Sequence, residues 1–235
     1  MKKNLFLPVL LAVGMIVQAQ TNFSGAYGYS FKPQGDPPAT EKNRGPKGSL
    51  VLLKMDGDKY RFWLDVETGW PRYHVGETDG TITFVNDTAS FDNTFEDATN
   101  PCILSFKVTG NIVTINSHST SFNCGFGQGV HADGDYAKLK IQPALNNDWL
   151  KKEYPQSPVA LVTNNRAEIF QDETCLHSFS PKRYFVKGDK FMSIAETEKC
   201  IYTEYIPSPG KFVYGWIKKS EVKLLPAEYK WDQQK

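Results

Sequence analysis

The 235-residue chain is poor in charge of one sign, in sulfur and in long apolar runs. Its 27 basic and 26 acidic side chains leave a formal charge of +1, and no basic run is longer than a doublet. A nucleic-acid binder needs a basic face strong enough to release counterions from phosphate, so that class is excluded. The longest apolar stretch, residues 5–17, is broken by Pro8 and falls short of the roughly 20 residues that span a bilayer. Four cysteines and four histidines occur without the C-x-x-C or H-x-x-x-H spacing that gathers zinc ligands, so no metal and no cofactor is expected. Gly125-Phe126-Gly127-Gln128-Gly129 is not followed by the Lys-Ser/Thr of a phosphate loop and reads as a turn beside a disulfide. There is no internal repeat and no low-complexity tract.

What is present begins with residues 1–19, which read as an export signal. Lys2 and Lys3 supply the positive start, residues 5–17 the short apolar core, and Val17-Gln18-Ala19 a small-x-small cleavage site that leaves Gln20 first. Without Lys2 and Lys3 the charge becomes 25 − 26 = −1. No cysteine stands at the cleavage point, so no lipid anchor is expected, and the processed chain keeps no membrane span. A periplasmic or secreted location follows, and with it oxidised cysteines. Cys102 and Cys124 lie in one half, Cys175 and Cys200 in the other. Four cysteines permit three connectivities, of which pairing within each half closes short loops. Each such bridge contributes about 3 kcal/mol by restricting the unfolded chain.

The aromatic content, 11 Tyr, 15 Phe and 5 Trp, favours strands over helices. Period-two patterning supports this. Tyr60, Phe62, Leu64 and Val66 alternate with Arg61, Trp63 and Asp65, and Cys102, Leu104, Phe106 and Val108 alternate with Ile103, Ser105 and Lys107. Turns are expected at Asp56-Gly57-Asp58, Thr78-Asp79-Gly80, Thr109-Gly110-Asn111 and Asp133-Gly134-Asp135, and a long mobile loop over residues 32–47. One short helix is expected within residues 143–154, capped by Asn146 or Asn147 and stopped by Pro155 and Pro158. Strand-like runs then resume at 159–163, 167–170, 190–195, 201–206 and 212–217. The chain therefore reads as all-β: a signal over 1–19, a small antiparallel barrel or sandwich over 20–142, a connector over 143–158, a second β-domain over 159–226 and a tail over 227–235.

Three pieces in order carry a resemblance in the second half. Arg166-Ala167-Glu168-Ile169-Phe170 looks like an opening strand, and Lys187-Gly188-Asp189 follows Tyr184-Phe185-Val186 as a turn into the next. Tyr214-Gly215-Trp216-Ile217-Lys218, then Ser220-Glu221-Val222, looks like a closing segment. Together, over about 159–225, they resemble bacterial SH3-type domains, which implies an SH3-like barrel acting at the cell wall. The segment 175–180, longer and more polar than usual in that family, and the pair Cys175 and Cys200 depart from its pattern. The first half ends in a Cys124-Gly125 to Gly134-Asp135-Tyr136 segment of the form C-G-x-G-x-x-V-x-x-D-G-x-Y. This is similar to the ending of small exported β-domains, most without assigned activity.

No catalytic constellation is expected. A cysteine nucleophile needs a free thiol, a histidine in reach and a group to orient it, whereas Cys175 and His177 are loop neighbours and the sulfur is expected to be bonded. Asp92, Glu96 and Asp97 lack calcium-loop spacing and the carboxylate pairing of glycosidases, and read as a solvated loop. The ligand-binding candidates are aromatic. Tyr202 and Trp216 belong to the second domain, and Trp70 and Tyr73, with Trp63, flank the turn at Gly69 and Pro71 in the first. The expected function is non-enzymatic binding at the cell envelope, to peptidoglycan glycan or peptide or to an envelope protein. The alternative is a periplasmic inhibitor or immunity protein blocking a wall hydrolase or toxin. The sequence sets no oligomeric state.

Overall fold

The computed structural model describes residues 22–226 and Tyr229, among which lie fifteen strands and one α-helix. The signal expected over 1–19 and the tail expected over 227–235, Tyr229 excepted, lie outside the described residues. The fold is all-β, as two curled antiparallel sheets. The first comprises β1 (Gly25–Ser30), β2 (Lys47–Lys54), β3 (Lys59–Glu67), β4 (Val75–Thr83), β5 (Thr88–Asp92), β6 (Ile103–Thr109), β7 (Ile112–Ser117) and β8 (Gly134–Lys138). Its spatial order is β4-β3-β2-β1-β8-β7-β6-β5, a meander whose first and last strands pair through Tyr27↔Lys138 and Gly28↔Ala137. The barrel is therefore nearly closed, and its one seam lies between β4 and β5.

Alternation fills this barrel. Tyr60, Phe62, Leu64 and Val66 of β3 turn inward to meet Leu50 and Leu52 of β2 and Leu104, Phe106 and Val108 of β6, all buried. Cys102 and Cys124 are bonded at its edge. A 3-10 turn, Ser121–Cys124, precedes Phe126, whose ring lies over Gly76 of β4; a Cβ there would come within 2.5 Å of it. The expected loop over 32–47 carries a 3-10 turn at Ala39–Glu41 and ends where β2 begins. It is tied to the β3–β4 connection by Trp70 N–H donating to the Arg44 carbonyl at 2.6 Å and by the Tyr73 hydroxyl donating to Glu41.

α1 (Asn147–Glu153) follows, its N-terminus capped by the Asn146 side chain accepting from Trp149 N–H at 3.0 Å. The second sheet comprises β9 (Val159–Val162), β10 (Arg166–Phe170), β11 (Ser178–Val186), β12 (Lys190–Glu196), β13 (Cys200–Ser208), β14 (Lys211–Lys218) and β15 (Val222–Leu224). Their order is β11-β10-β14-β13-β12-β9-β15, curled into a half-barrel around Ile169, Phe185, Phe191, Ile201 and Ile217. Cys175 and Cys200 are bonded beside Phe170 and Trp216.

Two turn assignments are corrected. Thr78-Asp79-Gly80 lies in the middle of β4, because Gly80 leaves room for the Phe91 ring, which a Cβ would approach within 2.4 Å. Asp133-Gly134-Asp135 runs into β8. The polar segment 175–180 shortens as well, since Ser178 already begins β11.

Part of the outer face of the first sheet is covered. Ala26, Val51, Leu53 and Trp63 are buried there against Leu150 of α1 and Met192 and Ile206 of the second sheet. The two sheets and the helix thus share a third apolar cluster. Asn147 adds a bidentate contact, accepting from Ile206 N–H at 2.8 Å and donating to its carbonyl at 3.1 Å. Asp56, at the β2–β3 turn, binds Arg183 at 2.5 Å and the Tyr214 hydroxyl at 2.6 Å across the same interface.

Candidate functional site

The seam of the barrel opens against the second sheet, and a cleft of ≈ 590 Å³ occupies the junction. Arg61 of β3, Asp79 and Thr81 of β4, Phe91 and Asp92 of β5, Phe95 and Glu96 of the following loop, and Tyr202 and Glu204 of β13 line it. Strand alternation places each. Arg61 neighbours inward Tyr60 and Phe62 and so points out of the barrel, while Tyr202 and Glu204, two apart, share the face that looks back at it. The β12 register shift between Ser193 and Ala195 sets Ile194 and Ala195 at the cleft wall.

A buried charge pair forms the floor. Arg61 Nε lies 2.7 Å from Glu204 Oε1, with side-chain exposures of 12 % and 0 %. The guanidinium also reaches Asp79 and donates to the Tyr154 hydroxyl at 2.7 Å. That hydroxyl accepts from Trp63 Nε1 at 2.9 Å and donates to Glu204 Oε2 at 3.1 Å, so one phenol ties both ions to the helix end. Burial raises the Glu204 carboxyl above the ordinary carboxylate value, and the Arg61 guanidinium works against that rise. Burial also weakens Arg61 as a base, but Glu204, Tyr154 and Asp79 outweigh it and hold the guanidinium charged. Four carboxylates (Asp79, Asp92, Glu96, Glu204) against one guanidinium give the cleft a formal charge of 1 − 4 = −3. Hydrogen bonds from the hydroxyl and N–H of Thr94 lower the Asp92 carboxyl and keep it ionised.

The seam interrupts the ladder of the barrel. Phe84 N–H donates to the Asp58 carbonyl at 2.9 Å, extending the β3–β4 ladder beyond Lys59↔Thr83. Antiparallel bonds alternate, so Gly80 and Ile82 bond β3 while Asp79, Thr81 and Thr83 present N–H and C=O to the other side. By the same rule Val108 N–H to the Asp87 carbonyl, 2.8 Å, and Asn93 N–H to the Cys102 carbonyl, 3.3 Å, turn Thr88, Ser90 and Asp92 away from β6. Among the described residues one isolated bridge, Val85↔Thr88, closes the turn between β4 and β5. Beyond that bridge no ladder among the described residues pairs the two strands.

The sequence candidates fall in separate places. Tyr202 is half-buried at the cleft wall, and its ring centroid is 5.4 Å from that of Trp216 on the neighbouring strand. Trp216 leans on Phe170 and the Cys175–Cys200 bond, outside the cleft lining. Trp70 and Tyr73 sit in the β3–β4 connection, where they hold the 32–47 segment; Tyr73 keeps an exposed ring. Trp63, read as exposed, is buried. Asp92, the last residue of β5, and Glu96, in the loop after it, are solvent-exposed as expected and also line the cleft, while Asp97 accepts from Thr99 and Asn100 N–H in a local turn. Arg61, Tyr154 and Glu204 had no sequence motif to announce them.

No cysteine is free among the described residues, and no group of three or more His, Cys, Asp or Glu side chains there has metal-binding geometry. No described helix is long and apolar enough to cross a membrane.

Glu153, at the end of α1, faces Asp65, Glu77 and Asp79 on the outer surface of β3 and β4. Burial first, then these carboxylates, push its own carboxyl up to about 7. The folded protein then holds a proton there that the unfolded chain releases above about 4.5, so this group's contribution to stability falls as pH rises from about 4.5 to about 7. Glu153→Gln is expected to flatten that part of the Tm-against-pH profile; an unchanged slope between pH 4.5 and 7 contradicts the assignment. No family model, curated protein or solved structure matches this chain.

Proposed function

We propose that this is an exported, non-enzymatic binding protein of the cell envelope that takes a peptidoglycan element or an envelope protein into the cleft between its two sheets. The observation that carries the reading is that cleft: an open, aromatic-walled cavity whose floor is a fixed ion pair and whose two sides belong to different sheets clamped into one unit. Phe95 stands fully exposed and Tyr202 half-exposed, which suits stacking on a sugar ring or a peptide side chain. The two cysteine pairs agree with an oxidising compartment, and the SH3-type order of motifs in the second half agrees with a role at the wall.

The test is retention of the protein without residues 1–19 on purified peptidoglycan sacculi, together with crosslinking in intact cells to find a stoichiometric envelope protein. Phe95→Ala combined with Tyr202→Ala is expected to weaken either interaction at least tenfold. Absence of both interactions, or full retention by the double variant, overturns the reading.

A further inference from the structure

We propose that the β4/β5 seam is a strand-addition site, in which an extended, lysine- or arginine-bearing segment of a partner protein pairs with the free edge of β4. The proposal rests on the binding reading above and names the chemistry of its occupant.

Barrel closure removes sheet edges, and here it is complete everywhere except at this seam. The seam is partly occupied by the protein itself. The Val75 carbonyl of β4 accepts from Gly127 N–H at 2.9 Å, and at the other end Val85 and Thr88 bridge the strands. Between these closures Asp79 and Thr81 of β4 and Ser90 and Asp92 of β5 direct backbone donors and acceptors toward one another, and no ladder among the described residues joins them. Phe91 lies over Gly80 beneath them and packs on Phe62 at 5.1 Å, so the barrel interior is sealed and the free edge faces the cleft. A volume of ≈ 590 Å³ accommodates a short peptide.

Charge identifies the occupant. Asp79, Asp92 and Glu96 border the edge, Asp65 and Glu77 extend the acidic surface along β3 and β4, and the cleft's own cation is engaged by Glu204 and Asp79. Alternate side chains of an added strand point to opposite faces, so lysine or arginine at every second position meets these carboxylates. A second copy of this chain brings the same carboxylates against themselves, which disfavours edge-to-edge self-pairing.

The experiment uses the protein without residues 1–19 and an end-blocked octapeptide of alternating lysine and threonine. Amide NMR shifts and the Kd are compared with a glutamate-threonine octapeptide and with a copy of the lysine peptide N-methylated at every residue, which leaves neither edge able to donate. Thr81→Pro removes one seam-facing donor and leaves the β3 ladder intact, because that N–H does not serve β3. The lysine peptide is expected to shift the amides of Asp79, Thr81, Ser90 and Asp92. Binding is expected to weaken at least tenfold for the glutamate peptide, for the N-methylated peptide and for Thr81→Pro. The N-methylated peptide needs no change in the protein, so it decides the question even if Thr81→Pro fails to fold. Equal binding of the N-methylated peptide, no shift at the seam, or seam shifts that arise from self-association overturn the proposal. Sacculus retention and envelope crosslinking of the unaltered protein are read alongside. If they persist while the peptide arm fails, only strand addition falls; if they fail while the seam amides respond, the envelope reading falls.

Discussion

Arg61→Met is expected to lower the free energy of unfolding by about 3–5 kcal/mol, read from urea denaturation, because it leaves the Glu204 carboxylate buried without its counter-ion. The two partners are not equivalent. Glu204 is fully enclosed and has Arg61 and the Tyr154 hydroxyl, whereas Arg61 retains Asp79 when Glu204 is altered. Glu204→Gln, which keeps the shape and an acceptor for Tyr154, is therefore expected to cost less than Arg61→Met. The double change Arg61→Met with Glu204→Leu is expected to recover much of the loss, since apolar groups of similar volume remove both desolvation penalties together. The pH dependence supplies an independent sign. In Arg61→Met, burial raises the Glu204 carboxyl with no guanidinium opposing it, so the native state binds a proton that the unfolded chain releases. Its stability then falls as pH rises above the ordinary carboxylate range. A variant of unchanged stability, or one that gains stability with rising pH, contradicts the role of the pair.

The inward half of the fold was legible because it follows from local alternation. Tyr60, Phe62, Leu64 and Val66 predict β3, and Leu104, Phe106 and Val108 predict β6; each set fills the barrel. The outward half was misread for a reason visible afterwards. Leu50-Val51-Leu52-Leu53 is apolar at every position, not every second one, and all four are buried, two into the barrel and two against the helix and second sheet. An uninterrupted run of this kind marks a strand covered on both faces. The same signal extends to Trp63, whose outward position suggested solvent and whose ring meets Trp149 at 4.9 Å.

Glycine produced the opposite error. Thr78-Asp79-Gly80 has turn composition, but Gly80 serves close approach of Phe91 in mid-strand, a requirement imposed by a residue of the next strand. The site was less legible than the fold. Alternation does put Tyr202 and Glu204 on one face, yet nothing near Glu204 in sequence identifies Arg61 as its partner in the other sheet. Asp92 and Glu96 carry the composition of a solvated loop, and only the divergence of β4 from β5 makes them a rim. Non-local pairings of this sort leave no periodic trace.

Trp63→Ala is expected to cost about 3–5 kcal/mol and to separate the unfolding of the two sheets. Trp63 is the central ring of the interface: its neighbours are Trp149 at 4.9 Å, Phe212 at 6.1 Å and Tyr154 at 6.4 Å, with the Arg61 guanidinium 5.2 Å from its centre. Its Nε1 also donates to Tyr154, so truncation removes apolar packing, a cation–π contact and one of the bonds that orient the cleft floor. Each sheet has its own core, so what the substitution removes is chiefly their coupling. In the unaltered protein, hydrogen exchange in β3 and in β13 is expected to report one common opening; in Trp63→Ala the second sheet is expected to open at lower denaturant than the first, whose core is larger. Because the cleft has one wall on each sheet, loss of coupling also loosens its walls, and ligand retention is expected to fall although Trp63 itself does not line the cleft. If the two sheets still unfold together in this variant, the interface holds through α1 and Asp56 and the shared aromatic cluster is not what unites them.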